Sequence, residues 1–258
     1  MRLQILAARA GLTALVVALG LAGAAVAGVR LGAITFATGM EVMAGATLLG
    51  LGGFLGGAVW FWQAARRNAG DARRCGLAAL AGAALFLYFP LTSFYYGLAL
   101  PPITDVSTDT DAPPAFVTLA GLRTAGMNPL AFDGQSTISY QGEARTIAYV
   151  LHDMKNGELT RPSPRFFPRS LAPVKTLFWR SFETVKKLDW HIVAYDEATG
   201  RIEATTRSFW FGRDFDIVLN VRPAGAGARV AVRVQDRADP RDHGYAIRLL
   251  QQFLAANP

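Results

Sequence analysis

Cysteine is almost missing from this chain of 258 residues, with Cys75 the single example. No disulfide can close within the chain, and no thiolate metal site can be built from one sulfur. Acidic residues are almost missing from the first hundred positions, where Glu41 and Asp71 stand alone before Asp105. The three histidines, His152, His191 and His243, lie far apart, and none has the spacing of a helical metal-ligand pair. Walker and dinucleotide glycine fingerprints are absent, and neither Ser107 nor Ser136 sits in a G-x-S-x-G elbow. The usual sequence grounds for nucleotide chemistry, and for a serine hydrolase of that design, are therefore missing. No cofactor and no metal are expected.

Leu, Ala, Gly and aromatic residues fill the first hundred positions in three long apolar runs, at about 11–29, 42–63 and 76–100. Each has the length a helix needs to cross a bilayer, so residues 1–100 read as a three-helix transmembrane module. Residues 1–100 hold 7 Lys/Arg against 2 Asp/Glu, while 101–258 hold 19 against 17. The net charge of +7 thus gathers beside the apolar runs, where it sets topology, and nucleic acid is not an expected partner. Arg66, Arg67, Arg73 and Arg74 crowd the second loop, whereas the first holds only Arg30. By the positive-inside rule the second loop is cytoplasmic and the C-terminal half lies outside. The expected location is a bacterial inner membrane, crossed several times, with residues 101–258 in the periplasm. Trp60, Phe61 and Trp62, and then Tyr88, Phe89, Phe94, Tyr95 and Tyr96, have the makings of interfacial aromatic belts.

The first run has a second reading, because Arg2 and Arg9, an apolar core and then Ala25-Val26-Ala27 also resemble a signal peptide cleaved after residue 27. Small residues recur every fourth position at Gly20, Ala24 and Gly28, and again at Gly52/Gly56 and Gly53/Gly57. Such rows let helix backbones approach closely, or simply mark an Ala/Gly-rich span. No ionisable residue lies deep in any run, which disfavours a transporter. Pro90 is expected to bend the third helix.

Residues 101–167 are rich in turns, with Pro-Pro pairs at 101–102 and 113–114, a cluster at Pro162, Pro164 and Pro168, and short strands expected near 116–119 and 137–140. From Pro173 to Leu188 the apolar residues Val174, Leu177, Phe178, Phe182, Val185 and Leu188 fall at helical spacing. Alternating segments follow at 190–195, 201–207, 214–221 and 228–234, separated by turn signals at 197–200 and 223–227. Asp242 then caps a last helix with an apolar face of Tyr245, Ile247, Leu249, Leu250 and Phe253. Helix, four antiparallel strands and helix make a two-layer α+β domain with both helices on one face of the sheet.

Asp105, Ser107, Thr108, Asp109 and Asp111 form the most distinctive string of the chain. Clustered carboxylates can hold a hard cation, but no Gly and no closing Glu complete a calcium loop. The same residues close local turns by accepting backbone N–H groups, or they meet a ligand or partner. Arg237, Arg241, Asp242 and Arg248 gather at the start of the last helix, where they form either an anion-binding corner or a helix cap with solvated arginines. Arg165, Phe166, Phe167, Arg169, Lys175, Phe178, Trp179 and Arg180 make a basic-aromatic stretch that suits a membrane surface or a sheet-packed helix.

The string from Thr104 to Phe116 resembles the signature of domain-of-unknown-function family 1499. Leu188 to Val193, Gly200 to Thr205, Asp214 to Val221 and Arg237 to Phe253 are similar to its later blocks, so the resemblance covers about residues 101–256. Residues 161–172 and the charged run 235–242 depart from the pattern. The resemblance implies a bacterial envelope protein, often with a membrane module in front, and implies no activity. The expected function is an anchored envelope protein whose periplasmic domain binds a lipid, glycan or protein partner and supports envelope integrity. The alternatives are an envelope-modifying hydrolase using Asp105, Asp109 or Asp111 with a histidine, and a structural subunit of a membrane complex.

Overall fold

The computed structural model describes residues 2–66, 70–156, 169–238 and 242–256. The cluster at Pro162, Pro164 and Pro168 lies outside these, as do Arg67, Arg165, Phe166, Phe167 and Arg241. The chain divides into two compact units: residues 1–96 with Trp210–Gly212, and residues 97–209 with 213–258.

The first unit holds α1 (Arg2–Arg30) and α2 (Phe36–Arg66), with α3 (Gly70–Ala99) following and running into the second unit. Two helical stretches, Ala10–Arg30 and Phe36–Gln63, are long and apolar enough to cross a membrane among the described residues. Three were expected, so the third requires a correction. α3 is one continuous helix, but it starts Gly70-Asp71-Ala72-Arg73-Arg74 and carries Pro90, Thr92 and Ser93 in its second half, which dilutes its apolar run. Only 17% and 28% of the two qualifying stretches is buried, and Leu12, Val16, Leu48 and Leu55 point outward. The core helix of a water-soluble protein would hide these side chains. Part of the small-residue pattern is a packing face: a side chain added at Gly53 would lie 3.0 Å from the Gly11 carbonyl, whereas Gly20 and Gly52 face open space. Trp210 and Phe211 belong to this unit, where Phe211 meets Phe36 edge-on and the Trp210 carbonyl accepts from Arg30 Nε at 2.8 Å.

In the second unit the alternating segments form β5 (His191–Asp196), β6 (Arg201–Arg207), β7 (Asp214–Ala224) and β8 (Gly227–Asp236), all antiparallel neighbours. β1 (Asp105–Ser107) and the two-residue β4 (Arg169–Ser170) join the outer edge of β8, giving the order β1-β8-β7-β6-β5. β2 (Thr137–Tyr140) and β3 (Glu143–Thr146) form a separate hairpin, and α4 (Ile147–Asn156) follows it. One face of the main sheet presents Ile202, Ala204, Phe215, Ile217, Leu219, Val230, Val232 and Val234, all buried. α5 (Val174–Lys187) and α6 (Tyr245–Ala256) cover that face with Leu177, Phe178, Val185, Ile247, Leu250 and Phe253. Full burial of a ring such as Phe253 contributes about 2–3 kcal/mol. The two-layer α+β arrangement with both helices on one face is the one the spacing predicts.

Residues 116–119 are a correction. No strand forms there, and the chain instead makes a 3-10 turn at Leu119–Leu122. Its leading amides have no partner within the turn and are taken by a side chain of the sheet, as described below. The turn before β6 needs Gly200, which has φ +68° and packs against the backbone of Val221.

Candidate functional site

Strand alternation sends the other side chains of β6, β7 and β8 to the helix-free face: Glu203, Thr205, Asp216, Val218, Arg233 and Gln235. Such a face is normally solvated, but here residues 112–135 fold across it. Glu203 and Asp216 are 0% exposed, and Arg233 and Gln235 are 2%. Phe116 and Leu119 of the covering segment close over Val218, with Leu130 and Val193 beside them.

Burying charge in this way requires partners, and they form one connected network. Arg233 is its hub. Nε and Nη2 donate to the two Asp105 oxygens at 2.8 and 2.6 Å, and other donations reach the carbonyls of Pro114 at 3.3 Å and Leu130 at 2.8 Å. Its guanidinium also lies 4.9 Å from the Phe116 ring centre. Gln235 Nε2 donates to Asp105 at 3.2 Å and to the Pro129 carbonyl at 2.6 Å. The Gln235 carbonyl oxygen accepts from Arg123, which pairs with Asp216 at 2.7 Å. Arg237 donates to the other Asp216 oxygen at 2.6 Å and to Thr205 at 3.3 Å. Burial pushes the Asp105 carboxyl up, against the pull of Arg233 and Arg123. The hydrogen bond to Asp216 raises Arg237. Glu203, paired with Arg201 at 3.2 Å, makes a second cluster on the same face. Oε1 accepts the amides of Val117 and Thr118 at 3.0 and 3.1 Å, and Oε2 that of Leu119 at 2.8 Å.

The expected site residues separate into three places. Asp105 and Arg237, read from sequence as two clusters, are joined through Gln235, Arg123 and Asp216. Thr108, Ser107 and Asp109 continue from β1 as a turn. Ser107 Oγ donates to the Asp109 carbonyl at 2.8 Å, Thr108 Oγ1 accepts from Val232 at 2.9 Å, and Asp109 accepts from Ala112 at 3.0 Å and Arg229 at 3.0 Å. Asp111 is exposed. Asp242 lies apart at α6, accepting the amides of Gly244 at 2.9 Å and Ala246 at 2.6 Å, while Arg248 stacks 5.0 Å from the Tyr245 ring centre. Among the described residues, no group of three His, Cys, Asp or Glu side chains is placed to hold a metal ion.

Arg123, Glu203, Asp216, Arg233 and Gln235 were not singled out from the sequence. The available signal was mixed charge on alternate strand positions that become cross-strand partners, such as Asp216 opposite Gln235. What the face can do chemically is limited by pairing. Each buried carboxylate is held by arginine or by backbone amides, which favours a rigid surface over proton transfer.

Asp242, held by two backbone amides, carries a measurable pH dependence. Burial is the main force lifting its carboxyl to about 6, helped by Asp236 and opposed by the two amides. A folded value above the ordinary 3.8 stabilises the protein fully below about pH 4, and that contribution is lost as pH rises through about 6. The difference corresponds to roughly 3 kcal/mol at neutral pH. Asp242→Asn removes the buried charge and keeps one acceptor, giving up a hydrogen bond of about 1 kcal/mol. The variant is expected to be about 1–2 kcal/mol more stable at pH 7.5, with a flatter stability profile between pH 4 and 7. Thermal unfolding across that range checks it; a less stable variant with an unchanged slope would refute the assignment.

A helix-covered antiparallel sheet whose second face is closed by a charged clamp, preceded by apolar helices, defines the class: an α+β domain behind an apolar helical module. Residues 105–256 match the family described as protein of unknown function (DUF1499), and the chain belongs to that family. Among curated proteins, none matches the chain.

Proposed function

We propose that this is a bacterial inner-membrane protein whose C-terminal domain stands on the periplasmic side and binds a lipid, glycan or protein partner in support of envelope integrity. The observation that carries the anchoring is the outward apolar surface of α1 and α2, which needs an apolar solvent. Placement outside from a cytoplasmic N-terminus requires an odd number of crossings, so this reading needs the less apolar α3 to cross in addition to the two qualifying stretches, with the arginine-rich stretch 66–74 on the cytoplasmic side. Cleavage after residue 27 leaves two crossings and the same final side.

Binding suits the C-terminal domain better than the hydrolase alternative. Asp105 and Asp109 accept from Arg233 and Arg229, and no histidine appears among their partners. A purely structural subunit has no specific observation in its favour. Alkaline phosphatase and green fluorescent protein fused in turn after Pro258 test the placement. An active phosphatase and a dark fluorescent fusion are expected; the reverse pattern overturns it. A deletion strain should gain sensitivity to detergent that the full-length chain reverses and residues 101–258 alone do not.

A further inference from the structure

We propose that the tip of the β6–β7 hairpin, Phe209-Trp210-Phe211, is a second membrane contact of this protein, seated among the lipids at the bilayer surface. The inference rests on the membrane reading of α1 and α2.

Hairpin turns draw on Gly, Asn, Asp and Ser, whose backbones turn tightly and whose side chains suit water. This tip instead consists of three aromatic residues and Gly212, which has φ +65°. Its root is fixed. Arg207 and Asp214 are paired across the strands and bonded through their side chains at 2.8 Å. The Ser208 amide donates to the Arg213 carbonyl at 2.8 Å, and the Arg213 amide donates to Ser208 Oγ at 2.9 Å. The Phe209 backbone is also hydrogen-bonded to Tyr245 of α6. A braced root therefore presents rings that are costly to leave in water. Phe209 is 74% exposed and Trp210 37%, so the protein leaves both rings uncovered.

What the tip touches identifies its partner. Trp210 and Phe211 fall within the first unit, where Trp210 meets Phe89 edge-on at 5.2 Å between ring centres. Phe211 meets Phe36, the first residue of one apolar stretch, and Arg30, which donates to the Trp210 carbonyl, is the last residue of the other. The tip thus sits level with the ends of α1 and α2, the depth at which Trp is enriched in membranes.

The sheet supplies a separate argument. Antiparallel pairing puts the β6–β7 tip at one end of the sheet and the turns 197–200 and 224–227 at the other. The Thr104 carbonyl accepts from the Asp236 amide at 2.8 Å, and Asp236 pairs with Phe215. The chain arriving from α3 therefore enters the sheet at the end that carries the tip, and residues 100–104 alone separate that point from Ala99.

Hydroxyl-radical footprinting of the full-length wild type in phosphatidylcholine nanodiscs tests this without any substitution. Trp179 and Trp210 are equally exposed, at 37%, and Phe209 at 74% exceeds Tyr195 at 55%. Oxidation is expected at Trp179 and Tyr195 and is lost at Trp210 and Phe209; equal oxidation of the two tryptophans overturns the proposal. A second measurement separates lipid cover from protein cover. A nitrobenzoxadiazole label is placed by Phe209→Cys, Leu55→Cys or Ala226→Cys in a Cys75→Ala background. Leu55 points outward from α2, and Ala226 lies on an exposed turn about 33 Å along β7 from the tip. Doxyl-labelled phosphatidylcholine should quench the labels at 209 and 55 and spare 226, with iodide giving the reverse pattern. A label at 209 shielded from both quenchers marks cover by protein and overturns the proposal, as does quenching by iodide alone. Iodide quenching at position 55 removes the membrane reading of α2 itself, whereas lipid quenching at 55 without quenching at 209 removes only the contact of the tip.

Discussion

Glu203→Ala is expected to destabilise the protein by about 3–5 kcal/mol, among the largest effects of any single substitution in the C-terminal domain. The carboxylate is fully buried, and it alone satisfies the amides of Val117, Thr118 and Leu119 that lead into the 3-10 turn. Each buried N–H left without an acceptor costs about 1–3 kcal/mol, and Arg201, 3.2 Å away, loses its partner as well. Glu203→Gln separates charge from geometry. One amide oxygen can serve only part of the set, and the new NH₂ group faces a donor, so about 1–3 kcal/mol should be lost. The loss is local first. Hydrogen exchange at residues 117–119 should accelerate before exchange in β7 and β8, because those amides open with the covering segment. Unchanged exchange there, with intact stability, would remove Glu203 from this role.

Arg233→Ala should cost a similar amount, about 3–5 kcal/mol, for a different reason. The guanidinium holds Asp105 of the edge strand with two hydrogen bonds, and it reaches the Pro114 and Leu130 carbonyls, so one side chain ties β1 and two points of the covering segment to β8. Truncation leaves the Asp105 carboxylate buried without its main counter-charge. Arg233→Lys keeps the charge and loses the fork, and is expected to recover less than half of the stability. Arg233→Met with Asp105→Leu should be less damaging than Arg233→Ala, since replacing a buried pair by apolar groups avoids the uncompensated charge. Chemical denaturation of the wild type, Arg233→Met, Asp105→Leu and the double variant measures the coupling; additive effects would show that the two residues do not act as a pair.

Much of the C-terminal fold was legible in sequence because its signals are local. The period of two in Phe215, Ile217, Leu219 and Val221 and in Val230, Val232 and Val234 declares which side of each strand is buried. The helical spacing around Leu177 and Phe253 does the same for α5 and α6. Asp242 was expected to cap α6 directly; it accepts the Ala246 amide of the first turn and the Gly244 amide before it, but His243 and Gly244, both at positive φ, separate it from the helix. α4 escaped notice in a turn-rich stretch, although Val150, Leu151 and Met154 are buried along one side of it. Asp105 to Ser107 read as a turn and is instead a short strand, since its pairing with Arg233, Val234 and Gln235 lies far along the chain.

By itself the sequence determined the apolar helices, the two-layer domain and the family, since hydropathy, strand alternation and capping act over a few residues. The tertiary structure alone decided that the polar side of the sheet is buried and that Arg123 links Asp216 to Gln235. Those outcomes depend on which distant segment covers which face. A buried charge is acceptable only where the fold delivers its partner, and alternation along one strand carries no information about that partner.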